Sequence, residues 1–407
     1  MLNKLFVPIL LVFSISATAQ FKNDNVLYKT VDPVDLCVTL KENKGFILLD
    51  VRTAGEFADT SQSPAYNLGH LKGAINIDVR ELGKRLEEIS DYRNKPVFVY
   101  CSHSQRSRRA GKMLADSGFT KVYNVNGGMT AIHYTDANQK GCLKELVQAA
   151  NNYEFISAQE LCGKTVADNG PFILDVRTDS AFRHISRDVK ENIYGAITGT
   201  INIPLSALPA RINELSKTRE IVITDIFGDD AAKAAVLLKK NGFKHVSVLI
   251  EGIDRLIYTD EKDLPLKKVV YQSPVTYNML TASAFGRFIQ KKSDYILLDI
   301  RSTEEVANKH KDNWRNIGHL KNSINIPAAE LEKTIEGLGK DKTKIFIIYS
   351  FGNGAEVYAV AKGLQDDGFT NINVLVGGIF NIRWTAGNVK GQAYLKDLVE
   401  DVPEANQ

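Results

Sequence analysis

Apolar runs and helix-like segments alternate along the chain. The runs Val97–Tyr100 and Ile345–Tyr349 are apolar at every position, which is typical of central strands buried on both faces of a sheet. Between such runs, apolar residues recur at helical spacing, as Ala110 and Met113 do, with Gly118 where the helix should end. This alternation predicts an α/β fold in which helices cover both faces of a mainly parallel sheet.

The same order of landmarks occurs three times, at intervals of about 125 residues. These landmarks are Asp-x-Arg at 50, 175 and 299, Ile-Asn-Ile at 75, 201 and 324, Gly-Phe at 118, 242 and 368, and Gly-Gly or Glu-Gly at 127, 251 and 377. The interval is too long for a solenoid repeat and matches an independent domain. We therefore expect three domains, at 24–150, 151–266 and 267–400. Because Asp-x-Arg recurs in each, Asp50 and Arg52 are interpreted as structural.

One cysteine lies where a reactive thiol is expected. Cys101 directly follows the strand run Val97–Tyr100, and four residues separate it from Arg106, near the start of a helical pattern. In parallel α/β sheets ligands bind at the carboxyl ends of strands. Free N–H groups at a helix N-terminus stabilise a thiolate, and Arg106 adds a positive charge. The pattern favours a nucleophile over the alternative, a buried structural cysteine.

Several of these segments together resemble the ordered signature of the rhodanese family of sulfurtransferases. The segments that carry the resemblance are Asp50–Arg52, Gly69–Ile77, Cys101–Ser107 and Gly127–Gly128. The second and third copies resemble rhodanese-type domains as well. In the family, the fourth loop position is often glycine, where this chain has Ser104. The resemblance implies three tandem rhodanese-like domains and a sulfurtransferase that needs no cofactor and no metal.

The implied reaction is a two-step sulfur transfer. Cys101 takes the outer sulfur of thiosulfate or a related donor as a persulfide, while Arg106 and the loop amides stabilise the departing sulfite. Cyanide or a thiol then accepts the sulfur, and a thiol redox protein is a further candidate partner. The residues expected to line the pocket are Ser102, His103, Ser104, Gln105 and Ser107. We interpret His103 as solvent-facing, the alternative being a role in acceptor entry. The Ser107 hydroxyl either caps the helix or hydrogen-bonds the persulfide.

The other two copies lack these groups. Counted back from the Gly-Phe landmarks, the residues opposite Cys101 and Arg106 are Asp225 and Asp230 in the second copy and Phe351 and Glu356 in the third. Both copies have therefore lost the thiol and carry an acid in place of the arginine. We expect them to be degenerate domains that cannot hold a persulfide.

Two other functions fit part of the pattern. In one, the chain is chiefly a sulfur carrier or binding scaffold whose degenerate domains dock a partner. In the other, it is a cysteine-dependent phosphatase or arsenate reductase. Such relatives use a loop one residue longer, which cradles a tetrahedral oxyanion, whereas the shorter loop from Cys101 to Arg106 suits a terminal sulfur.

The N-terminal residues predict export. Lys4 and the apolar stretch Leu5–Phe13 precede the small-x-small signal Ala17–Ala19, so residues 1–19 are interpreted as a removable signal peptide. We expect a periplasmic or extracellular protein without a membrane span. The 51 basic and 48 acidic side chains are dispersed and give a net charge of only +3. No basic tract indicates a nucleic-acid partner.

Three further cysteines need an interpretation. Cys37 and Cys162 occupy the same position in the first helices of copies one and two, and both are interpreted as buried core thiols. Cys142 is interpreted in the same way. Its alternatives are a disulfide with Cys37 and a resolving thiol for Cys101.

Overall fold

The computed structural model describes residues 26–135, 141–167, 169–291, 294–331 and 341–403. The signal peptide expected at residues 1–19 lies outside these ranges. None of the helices within them is long and apolar enough to cross a bilayer.

The first domain contains seven strands and five helices within the described ranges. Its strands are β1 (Lys29–Val31), β2 (Ile47–Asp50), β3 (His70–Leu71), β4 (Ile75–Asn76), β5 (Val97–Tyr100), β6 (Val122–Val125) and β7 (Val147–Gln148). Its helices are α1 (Pro33–Glu42), α2 (Ala54–Phe57), α3 (Gln105–Asp116), α4 (Gly128–Tyr134) and α5 (Leu143–Leu146).

The second domain repeats this order. Its strands are β8 (Glu154–Ile156), β9 (Phe172–Asp175), β10 (Ala196–Ile197), β11 (Ile201–Asn202), β12 (Ile221–Thr224), β13 (Val246–Leu249) and β14 (Tyr271–Gln272). Its helices are α6 (Ala158–Thr165), α7 (Asp179–Phe182), α8 (Leu208–Arg211), α9 (Asp229–Lys240), α10 (Gly252–Tyr258) and α11 (Lys267–Val270).

The third domain repeats it again. Its strands are β15 (Asn278–Leu280), β16 (Ile296–Asp299), β17 (His319–Leu320), β18 (Ile324–Asn325), β19 (Ile345–Tyr349), β20 (Asn371–Leu375) and β21 (Val399–Glu400). Its helices are α12 (Ala282–Lys291), α13 (Thr303–Val306), α14 (Ala355–Asp366) and α15 (Gly378–Asn388). Short 3₁₀ turns across the chain are Pro64–Tyr66, Leu82–Lys84, Leu86–Tyr92, Glu191–Ile193, Ile212–Glu214, Asn313–Arg315, Ala328–Glu330 and Ala393–Leu398.

Each domain is built on a five-stranded parallel sheet with one strand order. That order is β1-β6-β5-β2-β4 in the first domain, and the second and third sheets repeat it. All four residues of β5 and of β12 are buried, because helices cover both faces of the sheet. The fold expected from the apolar runs and the repeat is confirmed.

The Asp-x-Arg motif lies at the end of the second sheet strand in every domain. Asp50 and Arg52 form a fully buried ion pair of 2.7 Å, and the guanidinium also donates to the carbonyl of Gly69 at 2.6 Å. The same pairs recur at 2.7 Å for Asp175 with Arg177 and at 2.6 Å for Asp299 with Arg301. In the first domain the motif thus joins the end of β2 to Gly69, the residue just before β3.

The junction between the second and third domains differs from the expected boundary at residue 266. Strand β14 pairs antiparallel with β10 of the second domain, and Val270 of α11 belongs to the core cluster of Leu161 and Cys162. The second domain therefore extends to Gln272. The sequence pattern missed this closing strand because it is only two residues long.

The cysteine interpretation needs a correction. Cys37 and Cys142 form a disulfide between α1 and the residue before α5, so neither is a buried free thiol and Cys142 is not a resolving partner for Cys101. Cys162 is a buried free thiol, and burial raises its pKa to about 11. Cys37 and Cys162 occupy the same position in the first helices of their domains. Cys37 has Cys142 within bonding distance, whereas the second domain has no cysteine other than Cys162.

Candidate active site

Cys101 lies at the carboxyl end of β5, at the start of the loop that leads into α3. Its side chain is buried, and its thiol donates to the hydroxyl of Ser107 over 3.5 Å. That hydroxyl in turn donates to the side-chain oxygen of Asn124 at 2.7 Å. Of the two roles left open for Ser107, the geometry favours the contact with sulfur, because its hydroxyl lies between the thiol and Asn124 and does not cap the helix. Its hydroxyl lies beside the thiol because Asn124, on β6, holds it there.

The Gly127–Gly128 turn supports the loop from behind. Backbone N–H groups of Met129 and Thr130 donate to the carbonyl oxygens of Cys101 and Ser102, at 2.8 and 3.1 Å. A Cβ on Gly128 would collide with the Cys101 carbonyl, and its φ is +55°. Only glycine allows this approach. The turn thus fixes the backbone from which the thiol projects.

Ser104 has a left-handed backbone, with φ at 82°. Glycine adopts this conformation without cost, which explains why the family often has glycine here. In the second domain the equivalent residue is Gly228, with φ at 99°. The hydroxyl of Ser104 accepts a hydrogen bond from the Gly127 N–H and so joins the loop to the supporting turn.

Arg106 is paired rather than free. Both terminal nitrogens donate to the carboxylate of Glu56 at 2.6 Å, and one also donates to Ser102 Oγ at 2.7 Å. These bonds raise the pKa of Arg106, and they lower the pKa of Glu56 although burial alone would raise it. The expected positive charge beside the thiol is therefore largely balanced by a buried carboxylate.

His103 is only partly solvent-facing, since its side chain is 41% exposed and its ring also contacts the second domain. Its Nε2 lies 2.8 Å from Oε1 of Glu251 in the second domain and 3.2 Å from the hydroxyl of Thr130. Burial raises the pKa of Glu251, but the contacts with His103 and Arg255 outweigh burial and keep that pKa below its usual value. The loop of Cys101 is thus in direct contact with the second domain. Gln105, by contrast, is exposed at the start of α3.

Arg108 contacts the third domain from the same loop region. It is 8% exposed and donates to the carbonyl of Gly387 at 2.8 Å. Asn126 donates to the neighbouring carbonyl of Asn388 at 2.6 Å. Arg108 thus joins α3 to the end of α15.

The second-domain loop is occupied by its own carboxylate. Asp225 accepts hydrogen bonds from the backbone N–H groups of Gly228, Asp230 and Ala231, the last two at 2.7 and 3.2 Å. Burial nevertheless raises the pKa of Asp225 to about 6. This loop has the same length as the loop of Cys101, so its three N–H groups correspond in position to those of Ser104, Arg106 and Ser107.

The third-domain loop differs by one residue from the expected register. Tyr100 and Tyr349 are equivalent, since each is the strand partner of the Asp in its own Asp-x-Arg motif. The residue after each tyrosine is therefore equivalent too. Ser350, not Phe351, corresponds to Cys101. The misplacement arises because this loop is one residue longer. Glu356 is the second residue of its helix, as Arg106 is, and its carboxylate accepts from Ser350 Oγ at 2.8 Å.

Two residues near the site were not found from the sequence. Glu56 belongs to a capping box with Thr53, a T-x-x-E pattern that is readable in the sequence, but its pairing with Arg106 is not. Glu251 replaces the first glycine of the Gly-Gly landmark and has φ at 56°. The sequence shows this glycine-to-glutamate replacement, and it is the signal that could have identified Glu251 as a residue near the site.

Comparison with known families agrees with this architecture. A model of the Rhodanese-like domain matches residues 34–135, 157–257 and 282–383. Each match contains four of the five strands of one sheet together with its loop, and the remaining strand (β1, β8 or β15) lies just before the match.

Individual relatives match single domains. A thiosulfate sulfurtransferase GlpE of Shewanella oneidensis is 29% identical over 104 residues, which cover 26% of this chain and 92% of that protein. The thiosulfate sulfurtransferase PspE of Escherichia coli is 33% identical over 79 residues, 19% of this chain and 76% of that protein. A tRNA uridine(34) hydroxylase of Buchnera aphidicola is 32% identical over 92 residues, 22% of this chain and only 27% of its own length.

A solved structure aligns over a longer stretch. The thiosulfate sulfurtransferase from Pseudomonas aeruginosa is 18% identical, with a TM-score of 0.23, and the alignment covers 85% of this chain and 66% of that one. The family model matches three separate stretches that together make up most of the chain. The protein therefore belongs to the rhodanese family and carries three rhodanese-like domains in tandem.

Proposed function

We propose that the first domain transfers a sulfane sulfur through a persulfide on Cys101. The observation that carries this proposal is the position of Asp225 in the equivalent loop, where three N–H groups surround a carboxylate. A carboxylate and a persulfide both place their charged atom two bonds beyond Cβ. An outer sulfur on Cys101 therefore extends toward the N–H groups of Ser104, Arg106 and Ser107.

The first half-reaction loads the sulfur. The Cys101 thiolate attacks the outer sulfur of thiosulfate, the sulfur–sulfur bond of the donor breaks, and sulfite leaves with the bonding electron pair. The N–H groups at the start of α3 stabilise the negative charge on the bound sulfur. Ser107 Oγ lies 3.5 Å from Sγ and accepts from the thiol; once the thiolate forms, rotation of the hydroxyl away from Asn124 lets it donate to the sulfur.

The second half-reaction releases the sulfur. Cyanide or a thiolate attacks the outer sulfur, and the electron pair of the breaking bond returns to Cys101 Sγ. No redox cofactor is needed, because the sulfane sulfur keeps its oxidation state through both steps. The thiosulfate sulfurtransferases among the relatives support this reaction class, as does the short loop between Cys101 and Arg106.

We also propose that the protein works outside the cytoplasm. The disulfide between Cys37 and Cys142 is typical of oxidising compartments, and the apolar segment Leu5–Phe13 is typical of a signal peptide. Sequencing the N-terminus of protein recovered from a periplasmic or culture fraction tests this: a start near residue 20 supports it, and a start at Met1 in the cytoplasmic fraction overturns it.

The test of the reaction is persulfide formation on the full chain. After thiosulfate treatment, mass spectrometry should find one added sulfur atom on the Cys101 peptide, and cyanide should remove it with formation of thiocyanate. The Cys101→Ser variant should gain nothing, whereas Cys162→Ser, which removes the other free thiol, should load normally. A folded wild-type chain that gains no sulfur overturns the proposal. Hydrolysis of an aryl phosphate by the same preparation would instead favour a phosphatase.

A further inference from the structure

A single cavity lies between the three domains and is lined by equivalent residues of each. It measures about 560 Å³ and is bounded by the three helices that follow the Gly-Gly or Glu-Gly turns, α4, α10 and α15. The turn itself contributes one residue from each domain: Gly127, Glu251 and Gly377. Six residues after the helix start, each domain contributes an aromatic side chain: Tyr134, Tyr258 and Trp384. Its volume is within the range of small-molecule sites and exceeds what cyanide or thiosulfate needs.

The cavity begins at the catalytic loop. His103, two residues after Cys101, lines it, as does Gly127 of the turn that supports the Cys101 backbone. The opposite walls come from the degenerate domains, with Glu251 in contact with His103 and Asn353 in contact with Tyr258. The degenerate domains thus complete a chamber that the first domain alone does not enclose.

The walls combine carboxylates with accessible aromatic rings. Glu251 is balanced by Arg255, whose guanidinium lies 3.8 Å from it and packs 4.4 Å from the Tyr134 ring. Asp254 accepts only from the hydroxyl of Tyr194, at 2.8 Å, and among the described residues no Lys or Arg lies within ion-pair distance of it. Phe380 and Trp384 remain 51% and 38% exposed. Carboxylates and aromatic faces together attract cations and repel anions.

We propose that this chamber binds the sulfur acceptor, and that the acceptor is a small thiol carrying an amino group. The inference rests on the proposed function of Cys101. The ammonium is attracted by Asp254 and the ring of Trp384, while the thiol end faces the loop of His103. In the transfer, the acceptor thiol releases its proton to solvent, its sulfur bonds to the outer sulfur, and the bond to Cys101 Sγ breaks with the electron pair returning to Cys101.

The first test is a charge series of acceptors. The full chain is loaded with thiosulfate, freed of excess donor, and mixed with cysteamine, mercaptoethanol or mercaptopropionate at equal thiolate concentration. These thiols are of similar size and carry a positive, neutral or negative end. Cysteamine should discharge Cys101 at least about fivefold faster than mercaptopropionate. In Asp254→Asn that ratio should fall to about twofold or less, whereas Asp179→Asn, an exposed carboxylate of the same domain outside the chamber, should keep it.

A second measurement does not depend on turnover. The chain has two tryptophans, so Trp314→Phe leaves Trp384 as the only one. In a Cys101→Ser, Trp314→Phe protein, cysteamine should change the Trp384 fluorescence in a saturable way, and mercaptopropionate should not. If Cys101 loads but all three thiols react equally and none affects Trp384, the acceptor site is wrong and the proposed function stands. If Cys101 does not load, the proposed function itself fails.

Discussion

His103 of the Cys101 loop and Glu251 of the second domain are joined by a contact of 2.8 Å between Nε2 and Oε1. Glu251 has a left-handed backbone at the position where the other two domains have Gly127 and Gly377. A side chain there costs roughly 1 kcal/mol or more. The second domain thus accepts an unfavourable conformation at the residue that contacts the loop of Cys101.

A double-mutant cycle measures this contact. His103→Ala and Glu251→Ala should each lower the free energy of unfolding, and the double variant should lose about 1 kcal/mol less than the sum, because the pair is partly exposed. Denaturant unfolding of the full chain supplies the values. Lys112→Ala paired with Glu251→Ala is the control, since Lys112 pairs with Asp116 instead. Additive effects for His103 and Glu251 would contradict the contact.

The pairing of Arg106 with Glu56 predicts that removing the Glu56 charge raises the rate of sulfur loading. Glu56→Gln keeps the side-chain shape and removes the charge that balances Arg106, so thiosulfate, an anion, should load Cys101 about fivefold faster. Stopped-flow loading rates check this. The matched control is Glu305→Gln, because Glu305 forms the same kind of pair with Arg315 in the third domain. An unchanged loading rate in Glu56→Gln would mean that the Arg106 charge does not affect the reaction with thiosulfate.

The sequence predicts the elements that short segments encode, but it does not predict contacts that form only when distant segments pack together. The three parallel sheets followed from apolar runs and landmarks, because each strand and turn is encoded within a few residues. The partner of Arg106 lies 50 residues away along the chain, and the partner of His103 lies 148 residues away, across a domain boundary. The register at Ser350 was wrong because one extra loop residue leaves no trace in apolar periodicity.

The disulfide between Cys37 and Cys142 should stabilise the first domain substantially. It links residues 105 positions apart, so it restricts a long stretch of the unfolded chain. Replacing both cysteines with alanine should lower the free energy of unfolding by about 2–5 kcal/mol. A thiol reductant should lower the thermal midpoint of wild type and of Cys162→Ser, but not of the double variant. A reductant that leaves the wild-type midpoint unchanged would contradict this assignment.

Asp225 should make stability depend on pH. Its pKa is about 6 in the folded chain and about 4 when unfolded, so it favours folding at low pH and loses that contribution as pH rises through 6. Asp225→Asn cannot titrate. Relative to wild type, this variant should therefore gain up to about 3 kcal/mol in free energy of unfolding between pH 4 and pH 7. Asp179→Asn, an exposed carboxylate of the same domain outside this loop, should show no such gain.

The resemblance between the Asp225 carboxylate and a persulfide predicts that the second loop can be made to carry sulfur. In a Cys101→Ser background, Asp225→Cys with Asp230→Arg restores the thiol and the positive charge, and the N–H groups of Gly228 and Ala231 are already in place. Thiosulfate should then add one sulfur atom at residue 225, measured by mass spectrometry of its peptide.

The control for that experiment is the third loop. Ser350→Cys in the same background should not load, because this loop is one residue longer and the carboxylate of Glu356 lies 2.8 Å from the Ser350 hydroxyl. Loading at 225 but not at 350 would show that loop length and converging N–H groups, rather than the presence of a thiol, decide whether a rhodanese-like domain holds sulfur. Equal loading at both positions would instead mean that any exposed cysteine at this strand end reacts, and the role given to the N–H groups would be wrong.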